Sequence, residues 1–133
     1  MANKFNTLTA DISNGVHNFA TGQLVVALTN TLPVATNSVL TDIAEINYTG
    51  LSSRNITTTS STQTSGTYSL VLQDLIINAT GTIPTWRYVV VYNSSSASNK
   101  LMFWYDRGSA VNMISGDSLT IDLTDSQTLF TIV

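Results

Sequence analysis

His17 is the only histidine in the sequence, and histidine is the side chain that most often serves as acid, base or metal ligand near neutral pH. It lies close to Val16 and Phe19, at the end of an apolar stripe of the kind that helices bury. A Ser-His-Asp triad also needs a serine set in a nucleophile motif, and no serine here has one. A packing or capping role therefore explains His17 better than catalysis.

The acidic side chains could supply the carboxylate pair of a glycosidase or the oxygen ligands of a calcium site. Asp42 and Glu45 are spaced to share one helix face, whereas residues 122–126 carry carboxylates without the regular spacing of an EF-hand. Turn and surface roles explain these residues more simply, so we expect no catalytic residue; a structural cation is an open alternative. The acidic candidates are Asp42, Glu45, Asp74, Asp106, Asp117, Asp122 and Asp125.

The sequence has no cysteine and no glycine-rich phosphate motif. Disulfides, thiolate metal sites and cysteine nucleophiles are thereby excluded. We expect no cofactor and no bound metal.

Six aromatic side chains lie in two neighbouring segments and could form a stacking platform for a sugar or a nucleotide. Aromatic residues on facing strands more often belong to a core or to a subunit interface, where the polar atoms of Tyr and Trp find partners. We therefore interpret this set as core or interface residues. The six are Trp86, Tyr88, Tyr92, Phe103, Trp104 and Tyr105.

Charged residues make up only 10% of the 133 residues, against about 25% in an average protein. Ser, Thr and Asn replace them, so the exterior should be polar but nearly uncharged. Such a surface favours a chain that is covered by copies of itself or by partners. The net charge is −3 and the basic residues are scattered, which disfavours nucleic-acid binding.

The first residues lack the apolar core of a signal peptide, and nowhere do about 18 apolar residues run together. We expect synthesis in the cytoplasm and no membrane partner.

One domain is expected over residues 1–133, since domains cluster near about 100–150 residues. It should begin with a short amphipathic helix at about 4–17, because apolar residues recur there at spacings of three and four. Asn14 and Gly15 tolerate the left-handed backbone that ends a helix. The stripe consists of Phe5, Leu8, Ile12, Val16 and Phe19.

Short strands are predicted from about residue 23 to residue 133. The β-branched run 24–29 predicts a buried strand, and 38–46 predicts a helical turn capped by Ser38 or Thr41. The Ser/Thr tract 52–66 predicts an extended, solvent-facing strand followed by a turn. That turn is expected at Ser65 and Gly66.

The second half predicts strands at roughly ten-residue spacing, as in sandwiches. A strand at 67–77 should bulge near Asp74. In the strand 86–92, alternation places Trp86, Tyr88 and Tyr92 on one face. The loop 93–99 then leads to a partner strand, and Asp106-Arg107-Gly108 predicts the next turn.

The apolar run 129–133 predicts a further strand, which must be paired or covered because an exposed edge invites association. We interpret it as a candidate assembly strand, carried by Leu129, Phe130, Ile132 and Val133. Together the elements predict an all-β fold, an antiparallel β-sandwich or barrel-like domain with a short N-terminal helix.

Five stretches of the sequence, taken together, resemble a known protein family. They are Gly15–Phe19 (GVHNF), Val26–Pro33 (VALTNTLP), Val39–Ile46 (VLTDIAEI), Trp86–Asn93 (WRYVVVYN) and Phe103–Gly108 (FWYDRG). Together and in this order they resemble a family of small tailed-bacteriophage virion proteins, several of which serve as capsid decoration or cement proteins. The resemblance covers most of the chain and is weakest in the Ser/Thr tract.

The resemblance implies a β-rich protomer, commonly a homotrimer at threefold positions, that binds the outside of an assembled head and clamps neighbouring subunits of the major capsid protein. Its motifs are structural and carry no catalytic residue across. The alternatives are a tail, baseplate or fibre component, and a carbohydrate-binding β-sandwich that uses Trp86 or Trp104 and therefore exposes their indoles.

Overall fold

The computed structural model describes residues 2–123 and the backbone of residues 130–132. In this part of the chain, short strands dominate and one short α-helix stands near the beginning, which confirms the all-β prediction. The elements in chain order are β1 (Asn3–Lys4), α1 (Leu8–Ser13), β2 (Leu24–Thr29), a 3-10 helix (Leu40–Asp42), β3 (Thr58–Thr64), β4 (Thr67–Leu72), β5 (Leu75–Asn78), β6 (Ile83–Asn93), β7 (Lys100–Met113), β8 (Ser118–Ile121) and β9 (Phe130–Ile132).

The strands form antiparallel sheets that pack face to face. One sheet has the order β1-β7-β6-β2, a second has the order β3-β4-β9, and β5 pairs with β8. The larger buried cluster contains side chains of β2, β6 and β7 together with side chains of β4, β5 and β8. It therefore lies between the four-stranded sheet and the two smaller sheets, as in a sandwich.

A second buried cluster lies on the other face of the four-stranded sheet. In β2, Val26 and Leu28 belong to the first cluster while Val25 and Ala27 belong to the second. Because successive side chains of a strand point to opposite faces, a sheet covered on both sides needs apolar residues throughout. This explains why every residue of Leu24–Thr29 is buried.

The segment 30–46 covers the second cluster and includes the predicted helical turn. Its 3-10 helix spans only Leu40–Asp42, and Ile43 and Leu40 pack into the cluster. The cap differs from the prediction, because Asp42 accepts hydrogen bonds at Oδ2 from the amides of Ser38 (2.8 Å) and Val39 (3.2 Å). These bonds lower the pKa of the Asp42 carboxyl.

The helix α1 is shorter than the predicted span of about 4–17. Lys4 is extended and pairs with Phe103, and Gly15 has a φ of 73°, so the chain is helical only over Leu8–Ser13. The apolar stripe divides between the two clusters, with Phe5 in the second and Leu8 in the first. The apolar residues at helical spacing therefore do not lie on one face of a single helix.

Within the Ser/Thr tract 52–66, the strand β3 begins only at Thr58, and residues 52–57 belong to no named strand. β3 forms a hairpin with β4, and its turn lies at Ser65 and Gly66 as predicted. Both residues have positive φ, 51° and 84°, which is the geometry of a type I′ hairpin turn. After β4 the chain passes to another sheet, so β4 and β5 are separate strands and the bulge predicted near Asp74 is wrong. Asp74 instead accepts a hydrogen bond from the amide of Leu123 (2.9 Å).

The turn predicted at Asp106-Arg107-Gly108 is also wrong, because β7 runs on to Met113. Tyr88 pairs with Asp106 and Trp86 with Val111, so Arg87 alone lies opposite residues 107–110. The surplus residues are absorbed as a bulge, in which Gly108 has a φ of 97°. The residues Asp106, Arg107 and Gly108, whose types are common in turns, are therefore part of a strand that continues through a bulge.

The predicted assembly strand lies partly outside the described residues, which do not include Leu129 and Val133. The backbone of Phe130–Ile132 pairs with β4, with Phe130 opposite Leu70 and Ile132 opposite Tyr68. This strand thus forms one edge of the three-stranded sheet.

Candidate functional site

The predicted aromatic set is divided between the two buried clusters. Trp86 and Phe103 lie in the first, and Tyr92 lies in the second. Tyr105 packs on the first cluster and Trp104 on the second. Trp86 has no exposed surface, so it contributes to the core and is unavailable for stacking with a ligand.

The expected common face for Trp86, Tyr88 and Tyr92 is wrong. Tyr92 belongs to the second cluster, whereas Trp86 belongs to the first, and the register shifts between Trp86 and Tyr88. Trp86, Val89 and Val91 all lie in the first cluster, so the two-residue alternation of β6 is interrupted between Trp86 and Val89. The surface therefore presents only Tyr88, Trp104 and Tyr105 of the set, each of them half-buried. Burial, with the Asp122 charge adding to it, raises the pKa of Tyr105 to about 12.

The carboxylates are engaged in turns and pairs. Asp106 binds Arg87 through two hydrogen bonds, 2.7 Å to Nε and 2.9 Å to Nη2, and Arg87 holds its pKa below the ordinary value. Asp117 accepts a hydrogen bond from the amide of Ile114 (2.9 Å). Asp125 lies outside the described residues. Within the described part of the chain, no three His, Cys, Asp or Glu side chains are grouped so that they could hold a metal ion.

His17 is part of a buried polar cluster that the sequence did not predict. Its Nδ1 lies 3.0 Å from Nδ2 of Asn93, and the Oδ1 of Asn93 accepts a hydrogen bond from the amide of Ser95. The side-chain nitrogen Nδ2 of Asn93 therefore donates to Nδ1 of His17. Because Nδ1 accepts this hydrogen bond, the proton of the neutral imidazole lies on Nε2. Burial lowers the pKa of His17; the nearby Asp11 opposes this shift and Lys100 adds to it.

This polar cluster connects α1 and the residues after it to the end of β6 and the start of β7. Asp11 is buried, and its Oδ1 lies 4.0 Å from Nζ of Lys100. Asn93 and His17 are far apart in sequence, so no local spacing could have indicated the contact. The ring of His17 also stacks on Phe19, with 5.5 Å between the ring centres, so the contacts of the histidine are those of a packed structural residue.

A second polar cluster holds the segment 44–56 against the outer edge of β2. The Tyr48 hydroxyl donates to Glu45 (2.7 Å) and accepts from the amide of Leu28 (2.9 Å). The guanidinium of Arg54 lies 3.5 Å from the centre of the Tyr48 ring and donates to the carbonyl of Val26. Burial raises the pKa of Tyr48. These contacts cover the outer edge of β2.

The exterior carries a few exposed apolar side chains. Leu32 and Val34 lie in the segment that covers the second cluster, and Ile76 and Ile114 lie in β5 and after β7. An open groove of about 370 Å³ lies beside the 3-10 helix. Its lining residues are Val39, Leu40, Thr41, Ile43, Glu45, Ser98 and Asn99.

The hairpin β3-β4 is uncharged, and its tip is exposed. No Asp, Glu, Lys or Arg occurs between Arg54 and Asp74, and residues 62–66 at its tip are all exposed. Its surface consists mainly of hydroxyl groups and strand backbone. It suits contact with another protein surface better than chemistry.

No protein-family model, curated protein or solved structure matches the chain. None of the helices in residues 2–123 is long and apolar enough to cross a membrane.

Proposed function

We propose that this chain is a bacteriophage capsid decoration protein. It binds the major capsid protein on the outer surface of the assembled head, as a homotrimer, and stabilises the coat lattice without catalysis. It is made in the cytoplasm of the host bacterium and ends on the virion surface.

The observation that carries the proposal is the position, in the fold, of the five stretches that resemble virion proteins. Two of them lie within β6 and β7 and one covers most of β2, which are the longer strands of the four-stranded sheet. The other two stretches, 15–19 and 39–46, lie in segments that pack on that sheet, because Phe19 is part of the first cluster and Ile43 is part of the second. The resemblance is thus strongest along the four-stranded sheet and its coverings. Its weakest stretch, 52–66, begins at the edge of β2 and continues into the β3-β4 hairpin.

The surface supports the same function. Arg54, Arg87 and Lys100 each lie within 4.0 Å of a carboxylate of their own chain, so three of the five basic residues interact within the chain. A polar, weakly charged exterior with exposed Leu32 and Val34 suits close packing on a crowded protein lattice. Binding only the assembled lattice would stabilise it by mass action.

The test adds purified protein to heads that lack decoration and locates it by cryo-electron microscopy. We expect density on the outer shell at threefold or quasi-threefold sites and heads that resist higher temperature. The variants Leu32→Asp and Ile76→Asp form a matched pair, since each places one charge on an exposed apolar position in a different part of the fold. The variant that loses binding marks the face toward the coat; density on the tail alone would refute the head assignment.

The β3-β4 hairpin favours a second candidate, a tail, baseplate or fibre component. An exposed hairpin with a hydroxyl-rich tip suits a receptor-binding loop. The position of the density in the particle distinguishes the two functions. A carbohydrate-binding module that stacks a sugar on Trp86 is not supported, because this indole is fully buried.

A further inference from the structure

The edges of the described sheets differ in how they are protected. The outer edge of β2 is covered, because Ile46 donates to the carbonyl of Leu28 (3.0 Å) and Val26 donates to the carbonyl of Arg54 (3.0 Å). At the opposite edge of that sheet, β1 has only two residues. β3 has seven residues, and no described strand pairs with its outer side.

The hairpin geometry shows which backbone groups of β3 face outward. Thr64 and Thr67 flank a two-residue turn and therefore form a hydrogen-bonded pair. Alternate residues then direct their amides and carbonyls toward β4, and the residues between them direct theirs away. Ser61 and Gln63 consequently present their N–H and C=O groups at the open edge.

β3 lacks most of the devices that keep an edge strand from pairing. Monomeric proteins block such edges with charged side chains, proline, bulges or short strands. β3 contains neither a charged residue nor proline. Its one irregularity is the register shift between Thr58 and Ser60, which lies at the base of the hairpin and leaves the rest of the strand regular.

The side chains of β3 identify the occupant as a second copy of this chain. A foreign strand is recognised through pockets for alternate side chains, whereas the side chains in the outer half of β3, Thr62, Gln63 and Thr64, are small or polar and exposed. When two β3 strands pair antiparallel about a twofold axis, a residue near the axis lies opposite the same residue of the partner strand or opposite one of that residue's neighbours in sequence. A charge there would meet a like charge, whereas Thr and Ser pair favourably across strands.

We propose that β3 pairs with β3 of a second copy, antiparallel about a twofold axis at Thr62. With this axis Ser61 lies opposite Gln63 of the partner and Gln63 opposite its Ser61. Both outward-facing residues are then used, in two pairs that exchange about four hydrogen bonds. The contact does not rest on the virion function, and it joins two protomers whether each is single or part of a trimer.

The first test removes one outward amide. Ser61→Pro deletes the N–H at the open edge, while the amides of Ser60 and Thr62 still face β4. Circular dichroism and urea unfolding are measured alongside to show that the hairpin persists. Ser61→Ala is the matched control, because it removes only the hydroxyl that contacts Tyr68 (2.8 Å). We expect light scattering to give Ser61→Pro half the mass of the wild-type protein and of Ser61→Ala.

The second test uses the absence of cysteine, so that an introduced thiol can react only with another copy. Thr62→Cys lies on the axis, where facing Cα atoms come within the roughly 4.4–6.8 Å range of a disulfide. Thr64→Cys is the control, because its copy is displaced along the strand by about 13 Å, four residues at about 3.3 Å each. We expect Thr62→Cys to form a disulfide dimer under mild oxidation and Thr64→Cys to remain reduced.

Equal masses for all proteins, with no cross-link at position 62, would overturn the proposal. So would a monomeric wild-type protein that binds heads and loses this binding on Ser61→Pro, because the edge would then serve the coat protein. Cross-linking at position 64 but not at 62 would overturn the register. Failure to bind heads refutes the decoration function alone and leaves the masses and cross-links as evidence for β3 pairing.

Discussion

The imidazole of His17 is buried against Asn93, and burial disfavours its charged form. The pKa of His17 in the folded chain is therefore below its ordinary value of 6.5. As the pH falls below 6.5, the unfolded chain binds a proton that the folded chain binds less readily. The contribution of His17 to the free energy of unfolding is therefore fully present above pH 6.5 and is lost as the pH falls below this value.

We expect the urea midpoint of the wild-type protein to fall between about pH 7.5 and pH 5.5, on either side of the ordinary histidine pKa. His17→Gln keeps an acceptor for Asn93 but cannot titrate, so its midpoint should change less over the same range. The comparison isolates the imidazole, because the two proteins share every other titratable group. Equal pH dependence in both proteins would contradict the role assigned to His17.

Gly22 is required by close packing beside the same cluster. A Cβ at this position would lie 2.7 Å from the carbonyl oxygen of Asn18 and 3.3 Å from Oδ1 of Asn93. We expect Gly22→Ala to lower the free energy of unfolding by about 1–3 kcal/mol, the range typical of overpacking. Thermal and urea unfolding measure this change.

Gly81→Ala is the control for this substitution. A Cβ on Gly81 would meet nothing within 4 Å, and its φ lies outside the left-handed region. Alanine should raise stability there by about 0.4–1 kcal/mol, because it restricts the unfolded chain. Similar effects of the two substitutions would show that the contact at Gly22 is unimportant.

At the scale of elements, the turn of the β3-β4 hairpin has a residue that can be improved. Ser65 has a φ of 51°, a backbone conformation that Asn adopts more readily than Ser. Ser65→Asn should raise the free energy of unfolding by up to about 1 kcal/mol, since left-handed geometry costs most residues about 1–2 kcal/mol. Ser65→Val should lower it; a stabilising valine would exclude the type I′ geometry.

The elements that could be predicted from sequence are those with a strong local signal. β2 was indicated by its continuous apolar run, and the hairpin turn by residues that tolerate positive φ. β7 could not be predicted to continue through Asp106–Gly108, because the same residue types form turns and bulges. The tertiary pairing with β6 decides between the two, and pairing is not visible in one strand alone.

The site was less predictable than the elements. The six aromatic residues were identified as core or interface residues, yet their division between two clusters depends on register shifts in β6 and β7. The contact of His17 with Asn93 and the cluster around Tyr48 bring together residues from different parts of the chain. Such contacts follow from topology, which spacing along the sequence does not encode.

At the scale of the whole molecule, the low content of charged residues predicts that binding to phage heads depends little on salt. Only 10% of the residues are charged, and several charges pair within the chain. We expect head binding to change little between about 0.1 M and 1 M salt, although this range shortens the Debye length from about 10 Å to about 3 Å. A sedimentation assay measures it. Release at high salt would show that charge, and not shape and apolar contact, drives the association.

The pairing of β1 with β7 has a consequence for how the protein is made. Asn3 lies opposite Trp104, so one of the first strands to leave the ribosome must wait for one of the last parts of the fold. β2 waits likewise for β6. During translation the apolar β2 therefore has no sheet partner until residue 93 has been made, and its apolar side chains can be bound by chaperones in this interval.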